Sequence, residues 1–485
     1  GADIDQATAT LLKSGERLDE LLKQPVDEML PLANQVAVLL AAQQNVFMAY
    51  PVSQVAEKKR HMFEQLNRLC PHLLDRINQT GELRDADRDS LIGRPMEGGQ
   101  AAVVRPVRMA VSNERGRYGG QYDTGLVDEL YSKMPNLLAD ALTGAGEPRQ
   151  VSEQRWREAL TDAAPSVYLD LLGQVPLPVL AASVGGGPSG TDLEAPVRRL
   201  LLTAGQGGEA VLYYINERDG SYYACDLSTG RDLAARLADA VEEYSPNGVL
   251  FAFEDPRQYG GLAPYTMVKQ DDTPAPAAYL CANPVPIYDT DEVDGLLRDL
   301  SFHPQASQTV RTSNVLSVRE GSGDSLRLYD TGVAIYHAAT AEDSRFPVPG
   351  EGEVRSELEL VEAAWSLVER ATAGRRGEAR LYLIGRDSGE EDVTLYFGYQ
   401  LSGADVVVRQ EGYAAKVTIR QDSVVDFTLQ LRTYRAASEA AAPVLPVTQA
   451  AAAMRALGVE GSELVLSYLD TGSSSDTVSA QWVAR

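Results

Sequence analysis

One stretch of this sequence occurs twice, and the repeat constrains the fold more than any other feature. Residues 203–215, TAGQGGEAVLYYI, return at residues 372–384 as TAGRRGEARLYLI, with 9 of 13 positions identical at an offset of 169 residues. That offset is much longer than the roughly 20–50-residue period of a solenoid, so the pattern indicates a duplicated domain. Each copy is predicted to follow an amphipathic helix and to lead through a polar turn into a second strand.

The length and the element pattern predict an α+β protein. The 485 residues correspond to about three domains of ordinary size. Predicted strands outnumber helices and are mostly joined as hairpins, which favours mainly antiparallel sheets. We predict a helical N-terminal domain followed by two duplicated mixed domains, at residues 1–160, 165–345 and 346–485.

Within the first domain, heptad spacing predicts helices. Ile4, Leu11 and Leu18 recur every seven positions, but Pro25 and Pro31 oppose one unbroken coiled coil. Further helices are predicted at residues 52–78, 126–142 and 152–160, and a loop with one short strand at 97–122.

The mixed domains contain the clearest alternation of helix and hairpin signals. Predicted helices cover residues 193–203, 231–244, 291–300, 356–372 and 447–457. Predicted strands and hairpins cover residues 167–172, 209–226, 249–253, 265–269, 278–281, 310–330, 380–401, 414–420, 423–434 and 463–469.

Charge limits the partners of the chain. The formal net charge is −25, and an acidic surface of that size repels nucleic-acid phosphates and anionic membranes. No stretch approaches the roughly 18–20 apolar residues that span a bilayer. Because the sequence opens Gly1-Ala2-Asp3 without methionine, we expect a removed N-terminal signal or membrane anchor.

The spacing of the histidines and cysteines does not favour a metal site, a disulfide framework or a catalytic thiol. His61, His72, His303 and His337 include no pair one helical turn apart, which a metalloprotease helix requires. The cysteines, Cys70, Cys225 and Cys281, are odd in number and widely separated, so they indicate neither a disulfide framework nor a metal clip. Cys70 lies near His72, but the proline between them is typical of a helix boundary rather than a catalytic pair.

Hydrolase and phosphate motifs are equally scarce. The 187–190 segment lacks the Gly-x-Ser-x-Gly spacing of a nucleophile elbow, and the sequence holds no Gly-x-x-x-x-Gly-Lys phosphate loop. Residues 115–123, RGRYGGQYD, could hold an anion through arginines and backbone amides, although a structural loop is favoured. The acidic run 289–295 departs from calcium-loop spacing and is interpreted as the N-terminus of a helix.

The C-terminal part resembles a known family. Residues 412–427, GYAAKVTIRQDSVVDF, resemble the YycH and YycI proteins, as do the features that follow them: Tyr434, a proline-led helix from Pro446, Tyr468 and Trp482. Residues 167–171, VYLDL, and 175–178, VPLP, resemble YycH more closely. The resemblance implies an accessory regulator of the WalK sensor kinase in Gram-positive bacteria. It also implies an extracytoplasmic body, an N-terminal membrane helix and binding to the kinase or a sister regulator.

From these observations we predict a non-enzymatic, extracytoplasmic regulator of two-component cell-wall signalling, anchored to the membrane by a removed N-terminal helix. We predict no catalytic residues, cofactor or metal, and the sequence leaves the binding residues unknown. One alternative is a carboxylate-based cell-envelope hydrolase with two carboxyl groups across a cleft. Another is a peptide- or glycan-binding module with an aromatic groove near Tyr213, Tyr222 or Tyr382.

Overall fold

The fold is described from a computed structural model. It describes residues 19–23, 30–43, 55–56, 58–60, 62–63, 66, 71–81, 102–186, 193–204, 207–228, 230–269, 274–302, 308–320, 323–342, 344–350, 354–437, 444–459, 461–473 and 475–485. The chain forms two compact units, the helical unit (residues 1–101) and the body (residues 102–485).

The helical unit has its own apolar core. Its described helices include α1 (Leu32–Gln43) and α2 (Pro71–Thr80), joined where the Ala33 backbone N–H donates to Asn78 Oδ1 at 2.9 Å. Lys59 Nζ donates to the carbonyl oxygens of Leu21 and Lys23, and burial lowers its pKa. The buried residues of this core are Leu21, Ala33, Ala37, Val38, Leu40, Ala41, Val55, Met62, Leu66, Leu74 and Ile77.

The body begins with a seven-stranded sheet in the order β2-β1-β4-β5-β6-β7-β3, in which every neighbouring pair is antiparallel. Its strands are β1 (Arg108–Asn113), β2 (Gly116–Gln121), β3 (Arg149–Val151), β4 (Ser166–Pro176), β5 (Pro196–Ala204), β6 (Ala210–Asn216) and β7 (Tyr222–Asp226). The helices of this region are α3 (Thr124–Ser132), α4 (Pro135–Thr143), α5 (Glu153–Asp162), α6 (Leu177–Ser183) and α7 (Gly230–Val241).

Short elements connect this sheet to the rest of the body. They are β8 (Val249–Phe251), a 3-10 turn (Ala252–Glu254), α8 (Pro256–Tyr259), β9 (Met267–Lys269), β10 (Tyr279–Ala282) and α9 (Thr290–Asp299). β8 pairs with β9, and β10 is the middle strand of a three-stranded sheet with β20 (Thr433–Ala436) and β22 (Ser475–Val478).

The second large sheet has eleven described strands, and among their pairings β17 with β21 is the parallel one. Its order is β11-β12-β13-β14-β19-β18-β16-β17-β21-β23, and β15 pairs with β16. The remaining strands are β11 (Gln308–Arg311), β12 (Val315–Arg319), β13 (Ser325–Tyr329), β14 (Val333–His337), β15 (Arg380–Ser388), β16 (Asp392–Leu401), β17 (Ala404–Val408), β18 (Ala415–Arg420), β19 (Ser423–Gln430), β20 (Thr433–Ala436), β21 (Leu464–Asp470), β22 (Ser475–Val478) and β23 (Ala480–Ala484).

Two helices accompany the second sheet, α10 (Glu357–Thr372) and α11 (Val447–Ala456). Ser356 and Glu359 form a reciprocal capping box that starts α10, since each satisfies a backbone N–H that the first helical turn leaves unpaired. Trp365 of α10 meets Phe397 of β16 edge-on, with ring centroids 6.0 Å apart. One continuous apolar core includes residues of both large sheets and of α10.

The coarse prediction of a mixed α+β fold with antiparallel sheets is confirmed, but several elements differ. The helix predicted at residues 193–203 is wrong: strand β5 occupies this position, because Leu200, Leu201 and Leu202 are all buried in a central strand. The helix predicted at 126–142 is divided into α3 and α4, and the loop predicted at 97–122 contains the β1–β2 hairpin.

The predicted domain limits at positions 160 and 345 both fall inside the body. The first sheet contains strands from either side of position 160, and the second contains strands from either side of position 345. Among the described helices, none is both long enough and apolar enough to cross a bilayer. The predicted location, extracytoplasmic and anchored, stays a prediction.

Candidate functional site

A pocket of about 750 Å³ opens between elements of the two large sheets. One side consists of the end of β2 and the start of α3, and the other consists of β15 and the end of β16. The segment before β10 forms a third wall. Its polar lining residues include Gln121, Tyr122, Asp123, Thr124, Lys269, Tyr279, Glu378, Arg380, Gln400 and Ser402.

Hydrogen bonds hold several of these polar side chains in place. Arg380 donates to both carboxylate oxygens of Asp128, at 2.9 and 2.6 Å, and this hydrogen bonding lowers the pKa of Asp128. Glu378 accepts a backbone N–H of β20, and the hydroxyl groups of Tyr279 and Ser402 lie 2.9 Å apart. The walls are therefore preorganised for a polar ligand, since little side-chain freedom remains to be lost on binding.

Tyr122 connects the pocket with the protein interior. It has a left-handed backbone (φ 58°), and its hydroxyl accepts the backbone N–H of Leu466 at 3.0 Å. The Arg108 guanidinium lies 5.6 Å from the centre of the Tyr122 ring, within the range of a cation–π contact. Burial raises the pKa of Tyr122, so the phenol is neutral at physiological pH.

Behind Tyr122 lies an ionic cluster, which we call the arginine–carboxylate cluster. Its members are Arg108, Asp170, Arg198, Arg199 and Glu463. Arg198 donates to Asp170 Oδ1 and Oδ2, both at 2.9 Å, and to both Glu463 carboxylate oxygens at 2.8 Å. Arg108 donates to Asp170 Oδ2 at 2.9 Å, and Arg199 donates to Glu463 Oε2 at 3.1 Å. The cluster therefore joins β1, β4 and β5 of the first sheet to the segment that enters β21.

A kink in β4 places Asp170 at the centre of the cluster. The pairing with β5 shifts register between Asp170 and Val175, and Leu172 has a left-handed backbone with φ 71°. Asp170 Oδ1 also accepts the backbone N–H of Leu172 at 2.9 Å, which stabilises the kink. At Gly173 a Cβ atom would lie 1.8 Å from the Leu383 carbonyl oxygen of β15, so only glycine permits this approach of the two sheets.

Positive charge exceeds negative charge within the cluster. Three guanidinium groups face two carboxylates, and the side chains of Asp170 and Glu463 are only 2% and 9% exposed. The carboxyl group of Glu217 lies nearby; burial raises its pKa, although Arg199 and Arg198 oppose the increase. A buried group of like charges is costly unless each is paired, so every carboxylate here matters for stability.

The arginines keep both cluster carboxyl groups ionised. Burial alone would raise the pKa of Asp170, but the charges of Arg198, Arg108 and Arg199 hold it well below its usual range. The same arginines lower the pKa of Glu463 against the opposing effect of burial.

These pKa shifts predict acid sensitivity of the body. Because the folded pKa values of Asp170 and Glu463 lie below the unfolded ones, their stabilisation is complete above about pH 4 and declines as the pH falls further. Each group can contribute a slope of up to about 1.4 kcal/mol per pH unit. The free energy of unfolding is measured by denaturant titration at several pH values between about 5 and 2.5. As the pH is lowered, we expect it to decrease less steeply in Asp170→Asn than in the wild type. Equal slopes would contradict the assignment.

The histidines are not brought together where they are described. His61 and His303 lie outside the described residues, and His72 belongs to α2. His337 pairs with Asp426 on the exposed side of the second sheet. Among the described residues, no group of three His, Cys, Asp or Glu side chains is placed to hold a metal ion.

The cysteines and tyrosines singled out from the sequence belong mostly to the interior. Cys225 and Cys281 are free and buried, and burial raises the pKa of Cys225 to about 11, which disfavours a reactive thiolate. Cys70 lies outside the described residues. Tyr213 is a core residue, and Tyr222 bonds to Tyr265 through their hydroxyl groups at 3.1 Å. Tyr382 packs closely over Gly398.

The two segments considered as ion-binding sites, 115–123 and 289–295, form strand and helix-cap structure. The 115–123 segment forms β2 and the N-cap of α3, where Asp123 Oδ1 accepts the Leu126 backbone N–H at 3.0 Å. The helix-start interpretation of the acidic run is confirmed, since Asp289 caps α9 by accepting the backbone N–H of Glu292. The 187–190 segment lies outside the described residues.

The residues of the arginine–carboxylate cluster were not predicted from the sequence. Arg108, Asp170, Arg198 and Glu463 are separated by up to hundreds of positions, so spacing alone gives no signal. Two local signs existed: Asp170 interrupts an otherwise apolar strand, and Arg198-Arg199 precede three leucines. A charged residue inside a buried strand indicates a buried partner, because isolated buried charges are unstable.

Comparison with known proteins identifies similarity to ATP synthase. Residues 1–94 match the family described as ATP synthase alpha/beta chain, C-terminal domain. ATP synthase subunit alpha of Lactobacillus acidophilus is 35% identical over 85 residues, which is 18% of this chain and 17% of that subunit. ATP synthase subunit alpha of Corynebacterium aurimucosum is 30% identical over 115 residues, 22% of this chain and 21% of that subunit. The chain thus spans about a fifth of the length of these relatives.

The crystal structure of YycH from Bacillus subtilis is one solved structure that aligns with this chain. The superposition covers 77% of this chain and 92% of that chain, with a TM-score of 0.46 and 11% sequence identity. Similarity at this level supports no functional argument.

The ATP synthase matches correct the predictions that depended on the YycH/YycI resemblance. The predicted regulator, its hydrolase and binding-module alternatives, and the assignment to two-component signalling are wrong, as are the sensor-kinase and sister-regulator partners. The prediction that the chain is not an enzyme is also contradicted, because the matched family belongs to ATP synthase. The resemblance depended on loosely spaced glycine and aromatic positions, which many antiparallel hairpins share.

Proposed function

We propose that this chain is a component of an ATP-synthase-type assembly, which it joins through contacts between its helical unit and ATP synthase subunits. The observation that supports this most is the coincidence of two boundaries. The family match ends at residue 94, and the helical unit ends at residue 101. The matched residues therefore correspond to a compact unit with its own core, and the body is attached to it.

The surface of the helical unit offers apolar side chains for such contacts. Leu22, Leu32 and Leu39 are 49%, 45% and 60% exposed. Leu32 and Leu39 lie seven positions apart on α1, so they share one face of the helix. Exposed apolar side chains on one face are typical of a contact surface. The match to ATP synthase makes its subunits the expected occupant of this face.

Replacing both leucines of this face by aspartate is expected to remove the contact. Two buried aspartates in an apolar interface would each lack a partner, so Leu32→Asp/Leu39→Asp should weaken capture at least about tenfold. Capture is measured by retention of the full chain on an immobilised ATP synthase alpha/beta preparation, with ATP hydrolysis by the retained assembly recorded in parallel.

The body supplies a matched control. Leu457 and Val354 are 78% and 83% exposed, so Leu457→Asp/Val354→Asp introduces the same charges on apolar surface positions outside the helical unit. Capture should be unchanged in this control. The proposal fails if the wild-type chain is not retained, or if both double variants lose retention equally.

We also propose that the body contains an internal duplication. In both copies the second half of the repeated stretch enters the first strand of a hairpin, β6–β7 or β15–β16, with Leu212 and Leu381 buried at equivalent positions. The preceding halves differ, since Thr203 lies in strand β5 and Thr372 ends helix α10. The conserved hairpin supports duplication followed by divergence around it.

A further inference from the structure

The second large sheet has one face that the described part of the body leaves at least partly exposed, which we call the outer sheet face. On β12 and β13 the residues Leu316, Val318, Leu326 and Leu328 are buried in the core, so the alternate residues point to the other side. The outer sheet face includes Arg319, Arg327, Tyr329, Ile335, Tyr396 and Lys416, which are exposed or half-buried.

Register places several of these side chains in one row across the sheet. Arg327 is opposite Ile335, Ile335 is opposite Thr428, Thr428 is opposite Lys416, and Lys416 is opposite Tyr396. Neighbouring strands lie about 4.8 Å apart, so Arg327 and Lys416 are about 14 Å from each other with apolar and hydroxyl side chains between them.

The cations of this face have no partners in the part of the chain that is described. The side chains of Arg319, Arg327 and Lys416 form neither a hydrogen bond nor an ion pair with the described residues. Other charged side chains of the same face are paired, since His337 pairs with Asp426. Arg420 is bonded to both oxygens of Asp392. Three unpaired cations on one face are notable in a chain whose net charge is −25.

We propose that the outer sheet face binds an acidic polypeptide segment that also carries apolar side chains. The cations would pair with carboxylates, while Ile335, Tyr329 and Tyr396 would contact the apolar side chains between them. Charge complementarity of this kind directs a partner to one surface and excludes others. The inference concerns the body and does not depend on the function proposed for the helical unit.

Other polyanions fit this face less well. A net charge of −25 repels the phosphates of nucleic acids at longer range, where three cations cannot compensate. Anionic membranes are typically recognised by clusters of about 4–8 Lys or Arg residues, more than the outer sheet face provides. An acidic polypeptide needs only a few matched charges at short range.

The test measures binding of a fluorescein-labelled (Glu-Val)6 peptide to the full chain by fluorescence anisotropy. Arg319→Glu/Arg327→Glu/Lys416→Glu should raise the Kd at least about tenfold, and wild-type binding should weaken between about 50 and 500 mM salt because the contacts are exposed. The charge-inverted (Lys-Val)6 peptide should not depend on these three cations for binding.

A second triple variant controls for net charge. Arg115, Arg231 and Arg435 are exposed and lie outside the outer sheet face, so their replacement by glutamate changes the total charge equally. This control should bind (Glu-Val)6 much more tightly than the outer-face variant. Equal losses in the two variants would overturn the proposal. Binding to phosphatidylserine vesicles that the outer-face variant abolishes, or a wild-type dimer that it dissociates, would overturn it in favour of a membrane or a second copy.

Discussion

Asp170→Asn is expected to lower the free energy of unfolding of the body by about 3–5 kcal/mol, the range typical when one partner of a buried ion pair is removed. Asparagine preserves the shape but removes the charge that Arg198, Arg108 and Arg199 face. The guanidinium groups of buried Arg108 and of the largely buried Arg198 and Arg199 would then share the carboxylate of Glu463 alone. Tryptophan fluorescence during urea unfolding reports on the body alone, because Trp156, Trp365 and Trp482 all belong to it.

An exposed ion pair provides the matched control for this prediction. Arg149 bonds to Asp226 at 2.8 Å, but the two side chains are 62% and 71% exposed. Asp226→Asn should therefore cost at most about 1 kcal/mol. If Asp170→Asn is no more destabilising than Asp226→Asn, the arginine–carboxylate cluster does not hold the two sheets together.

Gly173→Val is expected to lower the free energy of unfolding of the body by about 3 kcal/mol or more. The new Cβ would overlap the Leu383 carbonyl oxygen, 1.8 Å away, and backbone atoms cannot rotate aside as a side chain can. Either β4 or β15 must shift, which disturbs the kink that positions Asp170 and the packing of both sheets. The urea midpoint measured by tryptophan fluorescence should fall accordingly.

A substitution at a glycine with free space around it is the control, because it changes the backbone without a steric clash. A Cβ at Gly374 meets no atom within 4 Å, so Gly374→Ala should change stability by less than about 1 kcal/mol. If Gly173→Val unfolds at the same urea concentration as the wild type, β4 and β15 do not approach each other this closely.

Local signals in the sequence were sufficient to predict much of the secondary structure. Ser356 and Asp289 begin helices as predicted, because their side chains satisfy backbone N–H groups of the first turn. Hairpins such as β15–β16 and β18–β19 follow alternation and polar turns. In these cases the interactions that decide the structure lie within a few residues of each other.

Predictions failed where distant residues decide the structure. Residues 196–204 carry a helix-compatible run of leucines, but this segment pairs with β4 on one side and β6 on the other, and its leucines are buried on both faces of the sheet. The arginine–carboxylate cluster joins residues of both sheets, and sequence spacing gives no information about such contacts. The first 94 residues were interpreted as helical from their apolar spacing, a pattern shared by many helical proteins, so their relation to ATP synthase was missed.

The most direct test of the proposed function is amine cross-linking of the full chain with an ATP synthase alpha/beta preparation, analysed by mass spectrometry. Four of the seven lysines, Lys13, Lys23, Lys58 and Lys59, belong to the helical unit, and Lys133, Lys269 and Lys416 belong to the body. We predict that cross-links to ATP synthase subunits come from lysines of the helical unit and are lost in Leu32→Asp/Leu39→Asp. Cross-links from the body lysines alone, or none above the level of an unrelated acidic protein, would contradict the proposal.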